Sequence, residues 1–138
     1  MAFISMFFIL LLGVLFIYAM SRANEAKDKV GKQLYDENCS SCHGLAGEGL
    51  RKLIPPLANS DYIRINKNRL ACITKFGLED SIAVNGVIYN QPMIGNIELE
   101  DDEIRDILNY MIDQWYPEFP KFTLNDVKNQ LDNCLLNE

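Results

Sequence analysis

Two cysteines separated by two residues and followed at once by the only histidine of the chain, Cys39-Ser40-Ser41-Cys42-His43, constrain this sequence more than any other feature. Cys-x-x-Cys-His is the attachment pattern of a c-type haem. The two thiols add across the vinyl groups as thioethers, and the next residue brings an imidazole to the proximal face of the iron. Other uses of these residues fit less well. A structural zinc ion needs four ligands. Cys72 and Cys134 could complete such a set with Cys39 and Cys42, but neither belongs to a second Cys-x-x-Cys and His43 would have no role. A thioredoxin-type dithiol needs a βαβ context, which the pattern lacks. A single histidine also excludes a multi-histidine metal site and a histidine-based relay.

Iron held by His43 has one further axial position, and no second histidine can fill it. Of the five methionines, Met1, Met6 and Met20 lie in or beside an apolar N-terminal run, and Met111 falls on the apolar face of a helix. Met93 stands in a loop bounded by Pro92 and Gly95, where a side chain can turn inward without breaking a helix. Met93 is therefore the expected second ligand. The alternative is a surface methionine beside an open, five-coordinate iron.

The rest of the chain suits one domain and a leader. Residues 2–20 carry no charge, and as a helix they would extend about 30 Å, enough for the core of a bilayer. Arg22 closes the run, and Tyr18 sits near its end, where an interfacial ring is favoured. A cleaved signal peptide is the competing reading, with a small-x-small site at Ser21-Arg22-Ala23, but residues 1–7 lack the basic start of such a leader. The expected organisation is a transmembrane anchor (or signal peptide) over 1–24, a domain over 25–116 and a C-terminal extension over 117–138 packed on it. Apolar periodicity predicts helices over 25–38, 61–76, 100–115 and 124–136. Asn85-Gly86 predicts a hairpin within 83–88, and residues 92–95 read as a loop. Gly31, inside the first of these helices, is expected to admit a close neighbour.

The order of helix, Cys-x-x-Cys-His, Pro55-Pro56-Leu57, methionine loop and helix resembles a class I monohaem cytochrome c over roughly residues 27–115. The stretches Val84-Asn85-Gly86 and Tyr89-Asn90-Gln91-Pro92-Met93-x-Gly95-Asn96, with Tyr110, Trp115 and a tail carrying a cysteine, resemble a bacterial subgroup. Ile94 departs from the pattern, because proline commonly follows the ligand. The resemblance implies an all-α cytochrome c fold, about four or five helices around one covalent haem c with a small β-hairpin, preceded here by the transmembrane helix. It implies that Gly31 and Tyr35 pack against Tyr110, and that the Pro55 carbonyl accepts a hydrogen bond from His43. It also implies haem attachment outside the bacterial inner membrane, so the domain would face the periplasm. Arg22, Lys27 and Lys29 after the anchor would by charge alone favour the opposite orientation. In that oxidising compartment the two spare thiols, Cys72 and Cys134, are expected to pair.

Haem with His43 and Met93 as ligands is coordinatively full, which points to one-electron transfer and not to catalysis. The expected role is in a bacterial respiratory chain, as a membrane-tethered cytochrome or a subunit of a respiratory complex. The alternatives are a soluble periplasmic cytochrome after signal cleavage, or a haem enzyme or gas sensor with an open sixth site. Partners would be redox proteins or respiratory subunits and, through residues 2–20, the membrane. A net charge of −6 argues against nucleic acid. Residues 51–75 hold six basic side chains against Asp61, and residues 98–113 hold seven acids against Arg105. Opposed patches of this kind could steer docking, or could be two ordinary solvated faces.

Overall fold

The computed structural model describes residues 2–135; the side chains of residues 2–5, 8, 23–28 and 135 lie outside the described residues. Helix α1 runs unbroken over Ala2–Asn38. It crosses the boundary expected near residue 24 because neither glycine nor proline occurs between Gly13 and Gly31. The described side chains from 6 to 22 are exposed. Among the described residues no helix is long and apolar enough to cross a membrane. The anchor expected over 2–20 falls in part on residues 2–5 and 8, outside the described side chains.

The lower part of α1 is fixed by α5 (Asp101–Trp115). A methyl group at Gly31 would meet the Asp106 carbonyl and come within 3.1 Å of Tyr110 Cβ, so the two backbones cross in near contact. Beside this crossing Tyr35 is fully buried, with its ring 5.3 Å from that of Tyr110 and 5.6 Å from that of Trp115. Helix α5 forms where the sequence predicts it. Glu103 accepts a hydrogen bond from the Glu100 N–H at 2.9 Å, and acids fill the first turn, where the helix dipole favours them. Its face of Ile104, Ile107, Leu108 and Met111 forms the middle of the core.

The single helix expected over 61–76 is instead three pieces: α3 (Asp61–Ile65), a 3₁₀ turn (Lys67–Arg69) and α4 (Leu70–Phe76). Asn66 leaves the helical region, and its amide donates to the Tyr62 carbonyl at 2.9 Å, a local bond that competes with helix continuation. The restart is set from far away in sequence. The buried amide of Gln130 accepts from the Ala71 N–H at 3.0 Å and donates to the Lys67 carbonyl at 3.3 Å.

Two small antiparallel pairs complete the domain. Strands β2 (Ile82–Val84) and β3 (Val87–Tyr89) form the predicted hairpin, with positive φ at Asn85 and Gly86 as a type I′ turn requires. Strand β1 (Gly77–Leu78) pairs with β4 (Met93–Ile94), so part of the expected loop over 92–95 is a strand. Helix α6 (Leu124–Leu135) begins at a Thr123–Asp126 box in which each side chain accepts from the backbone N–H of the other, at 2.7 and 3.1 Å. Phe122, Val127 and Leu131 join the main core, and the Asn109 side chain bonds both backbone groups of Phe122.

Because the α1–α5 crossing leaves no room for a side chain at position 31, Gly31→Ala is expected to lower stability by about 1–3 kcal/mol despite the better helix propensity of alanine. Thermal unfolding of the holoprotein followed by circular dichroism reads this directly.

Candidate functional site

The cysteine–histidine motif lies where α1 ends. The Cys39 N–H donates to the Tyr35 carbonyl at 2.8 Å, and one further turn, α2 (Ser40–His43), carries Cys42 and His43. Gly44, with φ of 80°, stops this turn, and the buried Tyr35 hydroxyl donates to its carbonyl at 2.7 Å. The glycine-rich loop then folds back on the motif. The Gly49 N–H donates to the His43 carbonyl at 2.7 Å, and the Leu57 and Ala58 N–H groups converge on the Gly47 carbonyl. Gly47 lies under Trp115, whose ring leaves no space for a Cβ there.

His43 is 6% exposed, and its Nδ1 lies 3.0 Å from the Pro55 carbonyl. With Nδ1–H donating to that carbonyl, Nε2 keeps its lone pair for a metal. Burial holds the imidazole below its usual pKa and outweighs the opposing effect of the Pro55 hydrogen bond. The ring is thus neutral near pH 7, the form that ligates a metal. Burial, and then the neighbouring Cys42, pushes the Cys39 thiol up to about 11. Dithiol oxidoreductases depend on the opposite shift, so the thioredoxin-type reading fails on the environment of the motif as well as on its context.

Cys39, His43 and Pro55 line one apolar cleft of about 870 Å³, counting its open mouth, and Met93 lines it too. Its other walls come from Ile63 on α3, Leu70 and Ile73 on α4, Val84 and Tyr89 on the hairpin, and Ile107, Leu108 and Met111 on α5. Cys42 is exposed and is not among the lining residues. The residues fit a haem: an oriented imidazole, a thioether sulfur and a thiol share one space bounded by aliphatic side chains. Met111 shares the cleft with Met93, but it sits on the rigid, buried face of α5.

Cys72 on α4 and Cys134 on α6 are joined as a disulfide, with Cα atoms 6.0 Å apart. That bond takes two of the four thiols a zinc site would need. It closes a loop across 62 positions, worth roughly 4 kcal/mol in the loop-entropy account. The segment before α6 changes the charge picture drawn from sequence. Arg64 pairs with Glu118 and lies 5.0 Å from the Tyr116 ring centre. Lys67 lies 4.8 Å from the Phe119 ring centre and donates to the Pro120 carbonyl at 3.3 Å. Two of the six basic groups thus hold the extension down instead of standing free for a partner.

Some positioning residues have no short-range sequence signal. The Tyr116 hydroxyl accepts from the Ser60 N–H at 2.8 Å and donates to the Leu57 carbonyl, fixing the far end of the loop that carries Pro55. Its partners lie 56 and 59 residues away, beyond the reach of any periodicity.

Fold and site together define a small helical domain built around one apolar, histidine-bearing haem cleft. Residues 29–115 match the cytochrome c family model. The chain is 31% identical over 107 residues to a cytochrome c-552 of Thermus thermophilus, covering 71% of this chain and 81% of that protein. A second cytochrome c-552 from the same species is equally similar, with 72% of its length covered. The chain belongs to the cytochrome c family, and these relatives support class I. Members of the family bind one covalent c-type haem, carry electrons and act with redox partners. After denaturing electrophoresis, haem staining is therefore expected at the mass of this chain. Extraction of the colour by acidified acetone would contradict covalent attachment.

Proposed function

We propose that the protein transfers single electrons through a haem attached at Cys39 and Cys42 and ligated by His43 and Met93. The observation that carries this reading is the buried His43, oriented by the Pro55 carbonyl and sharing its apolar cleft with the Met93 side chain. The bound haem supplies a one-electron couple, and a thioether ligand favours a high reduction potential. The protein's own part is to hold both ligand side chains in place and keep water from the iron. Tyr35, Tyr110 and Trp115 fix the motif end of the cleft, while β1 and β4 fix the Met93 end.

The proposal extends to location. Among the described residues, the exposed apolar side chains of α1 that include Phe7, Phe16 and Ile17 are covered by nothing in the fold. We read this segment as an anchor in a bacterial inner membrane, with the haem domain on the periplasmic side. The unbroken helix joins segment and domain without a flexible leash. A stiff connection favours a fixed subunit of a respiratory membrane complex over a free shuttle.

Met93→Ala tests the ligand assignment. It is expected to open the iron, lower the reduction potential and let cyanide or carbon monoxide bind rapidly. If Met111→Ala has these effects and Met93→Ala does not, Met93 is not the ligand. For the location, the protein is expected to stay with membranes through a high-salt, high-pH wash and to leave them only in detergent. Quantitative release by the wash would contradict the anchor.

A further inference from the structure

The segment carrying Met93 has little side-chain packing to hold it. Ile94 is 92% exposed and Ile97 is 67% exposed. What meets this segment is backbone. Gly77 ends α4 with φ of +87°, and a Cβ there would collide with the Met93 carbonyl and stand 2.7 Å from the Gly95 nitrogen. A Cβ on Gly95, in turn, would collide with the Gly77 nitrogen and stand 2.5 Å from the Lys75 carbonyl. Each glycine therefore occupies space that the other's missing side chain leaves free. Relieving either clash requires a separation of roughly 1 Å, given ordinary contact distances.

The same contact is tied on both sides. Leu78 and Met93 are directly opposed in the β1–β4 pair. The Asn96 N–H donates to the Thr74 carbonyl at 3.0 Å, and Lys75 Nζ donates to the Leu99 carbonyl at 2.6 Å. The Asn96 amide also reaches Asn38 at the end of α1, at 2.9 Å, which links the methionine segment to the helix that delivers Cys39 and His43.

We propose that Gly77 and Gly95 are positioning residues: their mutual close approach sets the Met93 sulfur at the haem iron. This inference rests on the ligation by Met93 proposed above. A side chain at either glycine forces β4 away from the end of α4 and carries Met93 with it, while both glycines remain outside the cleft lining. Outer-shell groups that orient a metal ligand are commonly worth ten- to a hundred-fold in metal affinity or activity.

The test uses the oxidised holoprotein and the weak red charge-transfer band of a sulfur–iron(III) bond. Gly77→Ala and Gly95→Ala are expected to lose that band while keeping the helical circular dichroism of the parent, and to bind imidazole at least about tenfold faster. Gly86 also has positive φ, at +78°, but nothing lies within 4 Å of its absent Cβ. Gly86→Ala is therefore expected to keep the band; losing it there would mean that backbone strain alone explains the effect, and would overturn the proposal. Met93→Ala separates the two readings. If it removes the band and the Gly77 and Gly95 variants retain it with unchanged imidazole binding, the glycine proposal fails and the ligand assignment stands. If Met93→Ala retains the band, the ligand assignment fails and this inference with it. Should the glycine variants not accumulate, Lys75→Met decides, because it removes the side-chain tie to the Leu99 carbonyl and leaves the glycine contact intact. The band is then expected to persist on heating until the helices melt, and its loss well before them would refute the proposal.

Discussion

The close crossing of α1 and α5 at Gly31 is the constraint on which the rest of the structure depends. It brings the backbone of one helix against the Asp106 carbonyl of the other and packs the rings of Tyr35, Tyr110 and Trp115 at steep angles to one another beside the contact. Tyr35 then fixes Gly44, and Trp115 closes over Gly47, so the loop returning from the motif has one path. That path delivers the Pro55 carbonyl to His43. The orientation of the imidazole is thus a consequence of a helix crossing some way from it. This gives a physical reason for a glycine in the interior of a helix, where it costs about 1 kcal/mol.

The C-terminal extension belongs to the same core. In sequence it reads as an extension packed on the domain, with Cys134 expected to pair with Cys72. In the structure Phe122, Val127 and Leu131 enter the main cluster, Asn109 takes both backbone groups of Phe122, and Gln130 restarts α4. The Cys72–Cys134 bond adds a covalent tie between helices that already share buried contacts. Arg64 and Lys67 lie against the rings of Tyr116, Phe119 and Phe122. The extension therefore redistributes the surface charge. Arg51 and Lys52 remain exposed beside Pro55.

The legible parts of this protein are those encoded over short spans. The motif at 39–43, the amphipathic face of α5 and the Asn85-Gly86 turn each follow from a few neighbouring residues, and each forms as the pattern implies. The illegible parts depend on partners distant in sequence. The break at Asn66 needs a local side-chain bond and also the amide of Gln130, which arrives from the last helix. The β1–β4 pair has only two residues on each side, and its signal is a matching pair of glycines, not an alternation of apolar residues. Gly77 reads in sequence as a helix stop, and only its contact with Gly95 reveals its second role. Continuity of α1 past residue 24 is readable from the absence of breakers, but the change from apolar to charged composition suggests a boundary instead.

The central claim is that one of five methionines, Met93, faces His43 across the haem. Proton–carbon NMR of the reduced holoprotein with labelled methionine methyl groups tests it without altering a residue. A methyl on an axial sulfur lies directly over the porphyrin ring and is shifted far upfield, away from the others. A single methyl is expected to be so shifted, and to belong to Met93. Five methyl signals in the ordinary range, or an upfield signal belonging to Met111, would contradict it.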